Sequence, residues 1–406
     1  MYLRQLSGIF AKESKEMEEE LMTIRRHLHQ YPELSFQEYK TSKYIEEKLR
    51  EIGLPYEKVG ATGIKAWIVG EKEGSSSDFV VALRADIDAL PIQEETGFDF
   101  SSNNKGVMHA CGHDGHTAIL LGAAHLLYKN RKNFSGKVVC VFQPGEEADG
   151  AAKEMIRLGV LENPKVDWMI ALHLWPYIPF GSIGIRSGSM TASCDDFTIT
   201  INGKSGHSAR PHEGVDAIDV SMRIMQAIEH LVIKMNNPLD PIVVHIGKIT
   251  GGSARNIIAE KVILEGTSRA LTLDSRTKIK EEIERISKEV AETFNATAEI
   301  HYTEGNAPVI NDVDVTSLVG EAATELWGED RVVELPQPSL GADDFGEFSL
   351  EVPSTYFRLG IKKEDEAVYS LHHPKFSFDD TLLSIGAATF AYIAVKATEN
   401  SEGHSC

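Results

Sequence analysis

The chain is poor in the residues that mark several functional classes. Its four cysteines, Cys111, Cys140, Cys194 and Cys406, are widely and unevenly spaced in 406 residues. No disulfide framework is expected from them, and they read as thiols of the reducing cytoplasm. Basic residues are outnumbered, 41 Lys and Arg against 61 Asp and Glu, for a formal charge of -20. That field repels nucleic acid and anionic membranes, and so excludes both as expected partners. No apolar run approaches the roughly 20 residues that span a bilayer. Residues 1–6 lack the apolar core and cleavage site of a secretory signal. Repeats and low-complexity segments are missing too, and residues 402–406 are expected to fray. What remains is an ordinary globular composition, 42% hydrophobic and 25% charged, in a chain too long for one core. Two domains are expected.

Charged and apolar residues recur at helical spacing over residues 15–28, ahead of Tyr31-Pro32, and over 38–52, ahead of Gly53. Short β-branched-rich strands are predicted at 64–69, 79–83, 138–142 and 168–172. A helix over 117–128, with Asp114 as its N-cap, falls between the second and third strands, and another helix follows Glu147. This alternation predicts an α/β domain with a mainly parallel sheet. Polar groups recur where strands end: Asp86 after the second, Glu146 and Glu147 after the third, His173 after the fourth. Open α/β sheets place ligands at such ends. Past Gly188 the order becomes strand 196–201, helix 215–233, strands 242–249 and 261–269, helix 275–294 and strand 297–302. That is the β-α-β-β-α-β order of a ferredoxin-like domain. Helix 313–327, strand 355–359 and helix 381–396 resume the α/β pattern. The expected organisation is a discontinuous domain of residues 1–188 and 306–406, interrupted by an inserted domain at 189–305.

The densest chemistry lies in residues 108–117, where Cys111, Asp114 and three histidines, His109, His113 and His116, sit around Gly112 and Gly115. Sulfur, nitrogen and oxygen donors side by side are the composition of a transition-metal site. Cys111 and His113 would share a side only in an extended segment, so they are expected on a strand-like turn before the helix. Singly, each feature has a plainer explanation: a buried thiol beside a solvated histidine, an exposed acidic turn at Glu146-Glu147, a satisfied core histidine at His173. Jointly, Cys111, His113, Glu147, His173 and either His372 or His373 make five donors at one sheet edge. Five exceed the needs of one catalytic zinc and suit two ions. The spare glutamate is then placed to take a proton from water.

Arg25 to Glu33, residues 84–91, 109–116 and 142–147, Gly206-His207-Ser208-Ala209-Arg210-Pro211-His212 and the His372 segment together resemble one family along nearly the whole chain. It is the metal-dependent N-acyl-amino-acid amidohydrolases, the group that contains hippurate hydrolase, bacterial aminoacylases, N-acetyl-diaminopimelate deacetylase and plant indole-acetyl-amino-acid hydrolases. The resemblance implies a dinuclear site with ligands Cys111, His113, Glu147, His173 and His372, and Glu146 as general base. It implies an α/β catalytic domain with a ferredoxin-like lid that carries a homodimer contact. It puts His207 at the substrate carbonyl as an oxyanion donor, and Asn256 and Arg269 near the substrate carboxylate, with a lid salt bridge as the competing role for Arg269. Asp86 is expected to orient a ligand histidine, and His109 and His116 to support the site. Where the family reads Glu-Asp-Phe, this chain has Asp343-Asp344-Phe345, which leaves the substrate open.

The expected reaction is hydrolysis of an N-acyl amino acid with two divalent ions, whether manganese, zinc, cobalt or nickel. A dipeptidase or aminopeptidase on the same donors is the rival enzyme, and a non-catalytic metal-binding protein the rival class. Cys111 is expected to be exposed, and therefore oxidisable once its metal leaves.

Overall fold

The computed structural model describes residues 2–73, 77–148, 150–364 and 368–400; the tail at 402–406, including Cys406, lies outside the described residues. The chain divides into two compact units, one of Met1–Gly188, Ile310–Gln337 and Glu347–Cys406, the other of Ser189–Val309 and Pro338–Gly346. Asp343 therefore belongs to the second unit. Among the described residues no helix is long and apolar enough to cross a membrane.

The first unit is built on an eight-stranded sheet. At its centre Lys137–Gln143, Val80–Asp86, Trp168–Pro179 and Ser354–Lys362 run parallel in that spatial order. Val80–Asp86 and Lys137–Gln143 are buried almost throughout, as strands covered on both faces must be. Toward the edges the direction changes. Gly63–Val69 runs antiparallel to Lys137–Gln143, with Tyr56–Val59 beyond it, and Ile183–Ile185 runs antiparallel to Ser354–Lys362. The sheet is thus mixed, parallel where the site residues emerge and antiparallel outside. His173 does not end its strand as expected; the strand continues to Pro179.

The helix expected over residues 15–28 is Glu18–Gln30, and a further helix, Tyr2–Glu16, precedes it with a break at Met17. Glu18, Glu19 and Glu20 explain the restart, because carboxylates favour a helix N-terminus and fit poorly in mid-helix beside Glu16. His113–Lys129 and Leu382–Asn400 pack against each other and the sheet. Gly122 permits that approach: a Cβ there would meet Leu21 Cδ2 at 2.6 Å and Ala387 Cβ at 3.0 Å.

Asp114 is not the N-cap of its helix. Gly112 holds that position with no side-chain hydrogen bond, and Asp114 accepts instead from Arg25 Nε (2.8 Å) and pairs with His29 Nδ1 (2.8 Å). His29 Nε2 meets Glu94 Oε1 at 3.1 Å, and the Ser102 amide donates to Glu94 Oε2 at 2.6 Å. Burial alone would raise the Glu94 pKa, yet hydrogen bonds from His29, Thr96 and the Ser102 amide bring it down to about 2. The unfolded value is about 4.3. A depressed carboxylate stabilises fully above its unfolded pKa and loses that contribution as the pH falls through the folded one. Glu94→Gln is expected to cost about 1.5 kcal/mol at neutral pH. Denaturant melts at stepped pH check the sign: the gap to wild type should close as the pH falls from about 4.3 toward about 2.

The second unit carries a four-stranded antiparallel sheet, in the order Ile242–Gly251, Lys261–Ala270, Cys194–Asn202, Thr297–Asn306. Helices Ala217–His230 and Leu273–Thr293 share its apolar core, with Ile224 and Ile283 fully buried against Ile199 and Leu264. Strand and helix succession is β-α-β-β-α-β, with a short extra pair, Gly206–His207 and Ile257–Ile258, added to it.

Candidate metal centre

Gly112 adopts φ +90°, a left-handed conformation that suits glycine. Cys111 precedes this turn and His113 opens the helix, so the two meet through the turn rather than along an extended segment as the spacing predicted. Cys111 Sγ, His113 and His173 offer donor atoms all within 4.8 Å of one another, as do Cys111, Glu147 and His372, and also His113, Glu146 and Glu147. Sγ of Cys111 lies 3.4 Å from His173 Nε2. Nε2 of His372 lies 3.2 Å from Glu147 Oε1, and Nε2 of His113 is 3.9 Å from Oε1 of Glu147 and Oε2 of Glu146. The five donors named from the sequence and the adjacent Glu146 are therefore brought together in the first unit.

Hydrogen bonds on the far side of each ring set which nitrogen faces the cluster. His113 Nδ1 donates to the Asp88 carbonyl at 3.0 Å and lies 3.2 Å from its carboxylate. His173 Nδ1 donates to the Leu174 carbonyl at 2.7 Å. Both rings thus turn Nε2 inward. His116 is different, since its Nδ1 donates to Asp86 (2.6 Å) and its Nε2 accepts from the Leu174 amide (3.0 Å). Both nitrogens are spent, which makes His116 a strut. The expectation that Asp86 orients a ligand histidine divides accordingly: Asp88 turns His113, and Asp86 holds His116. His109, also expected to support the site, is buried with neither ring nitrogen hydrogen-bonded.

His372 has φ +64°, a left-handed conformation uncommon for a residue with a side chain, and its amide donates to the Ala110 carbonyl at 2.9 Å. That bond ties the distant loop to the residue before Cys111. His373 turns elsewhere, stacking on Tyr369 at 4.5 Å and accepting from the Lys375 amide. Of the two histidines, His372 is the one whose ring reaches Glu147.

Two buried atoms, His113 Nε2 and Glu147 Oε1, have no hydrogen-bond partner. Against burial, Asp86, Asp88 and Glu147 raise the His113 pKa to about 10. Burial, then Glu147, Glu146 and Asp86, push the Cys111 thiol well above its ordinary value. Unspent donors in a pocket with surplus carboxylate fit divalent cations, and the sulfur–nitrogen–oxygen mixture suits transition metals. Cys111 itself is only 6% exposed, which corrects the expectation of an accessible, readily oxidised thiolate.

Two residues that position the site were not singled out from the sequence. Asp88 Oδ2 accepts from the Glu147 amide (3.0 Å) and the Ser35 hydroxyl (2.7 Å). Glu38, fully buried, accepts from the amides of Phe36 (2.8 Å) and Gly145 (2.9 Å) with one oxygen and from Thr62 (2.9 Å) with the other. Phe36 is held at φ +63° by this clamp. Asp88 had a signal, its two-residue offset from Asp86; Glu38 had none, because two of its three partners, Thr62 and Gly145, lie far along the chain. Glu38→Ala strands three donors and is expected to cost about 2–3 kcal/mol. It should also lower kcat more than it raises KM by loosening the turn before Glu146. Glu38→Gln keeps an oxygen for both amides and should restore most of both, as melts and steady-state kinetics would register.

His207, Asn256, Arg269 and Asp343 lie in the second unit. His207 accepts from the Ala209 amide through Nδ1 at 3.0 Å, and the Ser208 amide donates to the Asn256 carbonyl at 3.2 Å, so these two segments are joined. Arg269 Nη1 donates to the Leu340 carbonyl at 2.9 Å rather than to a carboxylate. Asp343 is buried and accepts from the Phe345 amide at 2.8 Å.

A family model described as Peptidase family M20/M25/M40 matches residues 82–396. Thermostable carboxypeptidase 1 of Saccharolobus solfataricus is 40% identical over 386 residues, 94% of this chain and 96% of its own. N-acetyl-L-cysteine deacetylase of Bacillus subtilis is 38% identical over 390 residues, 96% of this chain and 90% of its own. Among solved structures, the Bacillus subtilis YXEP protein, described as a dinuclear metal binding peptidase from the M20 family, matches with a TM-score of 0.83 at 33% identity. That match covers 95% of this chain and 99% of the other. The family match takes in every residue of the cluster from Asp86 to His372, and the chain belongs to Peptidase family M20/M25/M40.

Proposed function

We propose that the chain hydrolyses the amide bond of N-acyl amino acids, releasing a carboxylic acid and a free amino acid, with divalent metal ions as cofactors. The observation that carries this reading is Glu146, a carboxylate set beside a donor cluster that is complete without it. Cys111, His113 and His173 would hold one ion and Cys111, Glu147 and His372 a second, the thiol being common to both groups. Ions held there would polarise the acyl carbonyl and would bring the pKa of water down toward about 7. Glu146 takes a proton as water attacks the acyl carbon and returns it to the nitrogen of the departing amine. Asp88 and the Leu174 carbonyl keep the His113 and His173 rings aimed throughout. His207, whose Nδ1 is occupied as an acceptor, carries its neutral-ring proton on Nε2, the form that donates to an oxyanion. Asn256 and Arg269 hold the substrate α-carboxylate, and Asp343 bears on substrate fit.

The metal is manganese, zinc, cobalt or nickel, with cellular supply deciding among them. The protein works in the cytoplasm as a homodimer joined through residues 189–305. Strand Ile242–Gly251 supports that contact, because it is a largely exposed edge of its sheet. The relative named a carboxypeptidase favours a second reading, cleavage of peptides by the same donors. Metal-stripped protein reconstituted with each ion and assayed on acetyl- and benzoyl-amino acids beside dipeptides separates the two. Chelator-sensitive release from the N-acyl compounds is expected; turnover of dipeptides alone selects the second reading. Absence of any chelator-sensitive hydrolysis leaves a non-catalytic metal-binding protein.

A further inference from the structure

Buried guanidinium groups elsewhere in the first unit are paired. Arg25 meets Asp114 and Asp380, and Arg84 meets Asp86 and Gln143. Arg358 is the exception. It is 5% exposed, yet its Nε and Nη2 have no hydrogen-bond partner. Its position explains why this matters. On strand Ser354–Lys362, Phe357 and Leu359 enter the apolar core, so Tyr356 and Arg358 face the other side of the sheet. Arg358 is registered directly beside His173 on the neighbouring strand, and the Tyr356 ring lies 6.1 Å from His173.

From there the guanidinium leans along the strand to lie 3.5 Å from the centroid of Trp175. Trp175 is 6.0 Å from His173 on one side and 6.2 Å from Tyr177 on the other, and Tyr177 is 66% exposed. The cation thus sits on an aromatic ladder that runs from the metal donors out to solvent. Stacking on an indole satisfies the face of a guanidinium and leaves its in-plane donors for a second group. A planar fork of N–H donors matches a carboxylate.

We propose that Arg358, seated on Trp175, forms a subsite for a second carboxylate of the substrate, distinct from the α-carboxylate and carried either by the acyl group or by the amino-acid side chain. This rests on the N-acyl-amino-acid reading. It makes Arg358 a specificity-determining residue that selects dianionic substrates.

The test compares metal-loaded wild type, Arg358→Gln and Arg358→Lys on N-acetyl-L-leucine, N-succinyl-L-leucine and N-acetyl-L-glutamate. In Arg358→Gln, the kcat/KM ratio of a dianionic substrate to N-acetyl-L-leucine should fall about tenfold or more, chiefly through KM. Arg358→Lys, which keeps the charge and loses the fork, should fall between. The substrate whose ratio collapses, succinyl or glutamate, tells which side of the scissile bond the subsite serves. Equal losses on all three substrates, or no change of ratio, overturn the proposal. Calorimetry with glutarate and butyrate supplies a readout that needs no turnover. Wild type should bind glutarate about tenfold tighter than butyrate, and Arg358→Gln should lose the difference. If no N-acyl compound is hydrolysed, the functional reading fails while the glutarate titration still decides the subsite, and equal binding of the two acids refutes it.

Discussion

Glu146→Gln is expected to lower kcat by about 10²–10⁴-fold, the usual worth of a positioned acid–base group, while metal content and fold persist. The geometry separates this residue from its neighbour. Glu147 Oε1 lies 3.2 Å from His372 in the group the two form with Cys111, whereas Glu146 is outside both groups that share Cys111. An amide at 146 keeps the size and loses the proton-accepting oxygen, so the defect should appear in kcat. Glu147→Gln should instead lose bound metal. Elemental analysis of each variant beside its steady-state kinetics distinguishes the two roles. Turnover of Glu146→Gln within tenfold of wild type would remove Glu146 from the mechanism.

Arg25→Met should be the most destabilising change outside the metal cluster, by about 3–5 kcal/mol. Arg25 is almost wholly buried and bonds Asp114 through Nε and Asp380 through Nη1, each at 2.8 Å. Its guanidinium carbon also lies 4.3 Å from the Phe378 ring centroid and 5.1 Å from that of Phe100. Methionine fills much of the volume but removes the cation shared by two buried carboxylates, leaving Asp114 with His29 and Asp380 with Arg26. The penalty is therefore under-compensated buried charge rather than a cavity. One of those carboxylates directly follows His113, so the damage falls at the start of the helix that carries a metal donor. Urea denaturation should show a lower midpoint with an unchanged slope, and restoration by Asp114→Asn in the same chain would confirm that the under-compensated charge is the cause.

The donor set was legible because metal chemistry restricts residue type so strongly: few side chains supply sulfur, imidazole and carboxylate, and these cluster at Cys111, His113, Glu146-Glu147 and His173. The alternation of strands and helices, and the change of rhythm past Gly188, were legible from apolar periodicity. What periodicity does not carry is pairing at a distance. Asp114 had the look of a helix cap, but its partner Arg25 is 89 residues away and outcompetes a local hydrogen bond. Strand 64–69 has the composition of a parallel strand, and only its register against Lys137–Gln143 makes it antiparallel. The helix Tyr2–Glu16 was missed because two of the four residues on its buried face are serines, Ser7 and Ser14, which blur the apolar stripe that Leu6 and Phe10 mark. Glu38 escaped because a lone glutamate before a helix reads as surface, and its three donors belong to separate segments.

The position of His372 also gives the site a chronology. Cys111, Glu147 and His173 leave the ribosome early, and His372 follows only after the inserted segment Ser189–Val309 has been made. At about 5–20 residues per second the delay is on the order of ten seconds or more. During it the nascent chain has the whole group Cys111–His113–His173 but lacks one member of Cys111–Glu147–His372. The first ion could be captured during translation, and the second only near its end. On the proposed reading, a polypeptide stopped short of residue 372 would carry the group Cys111–His113–His173 and lack the histidine of the other.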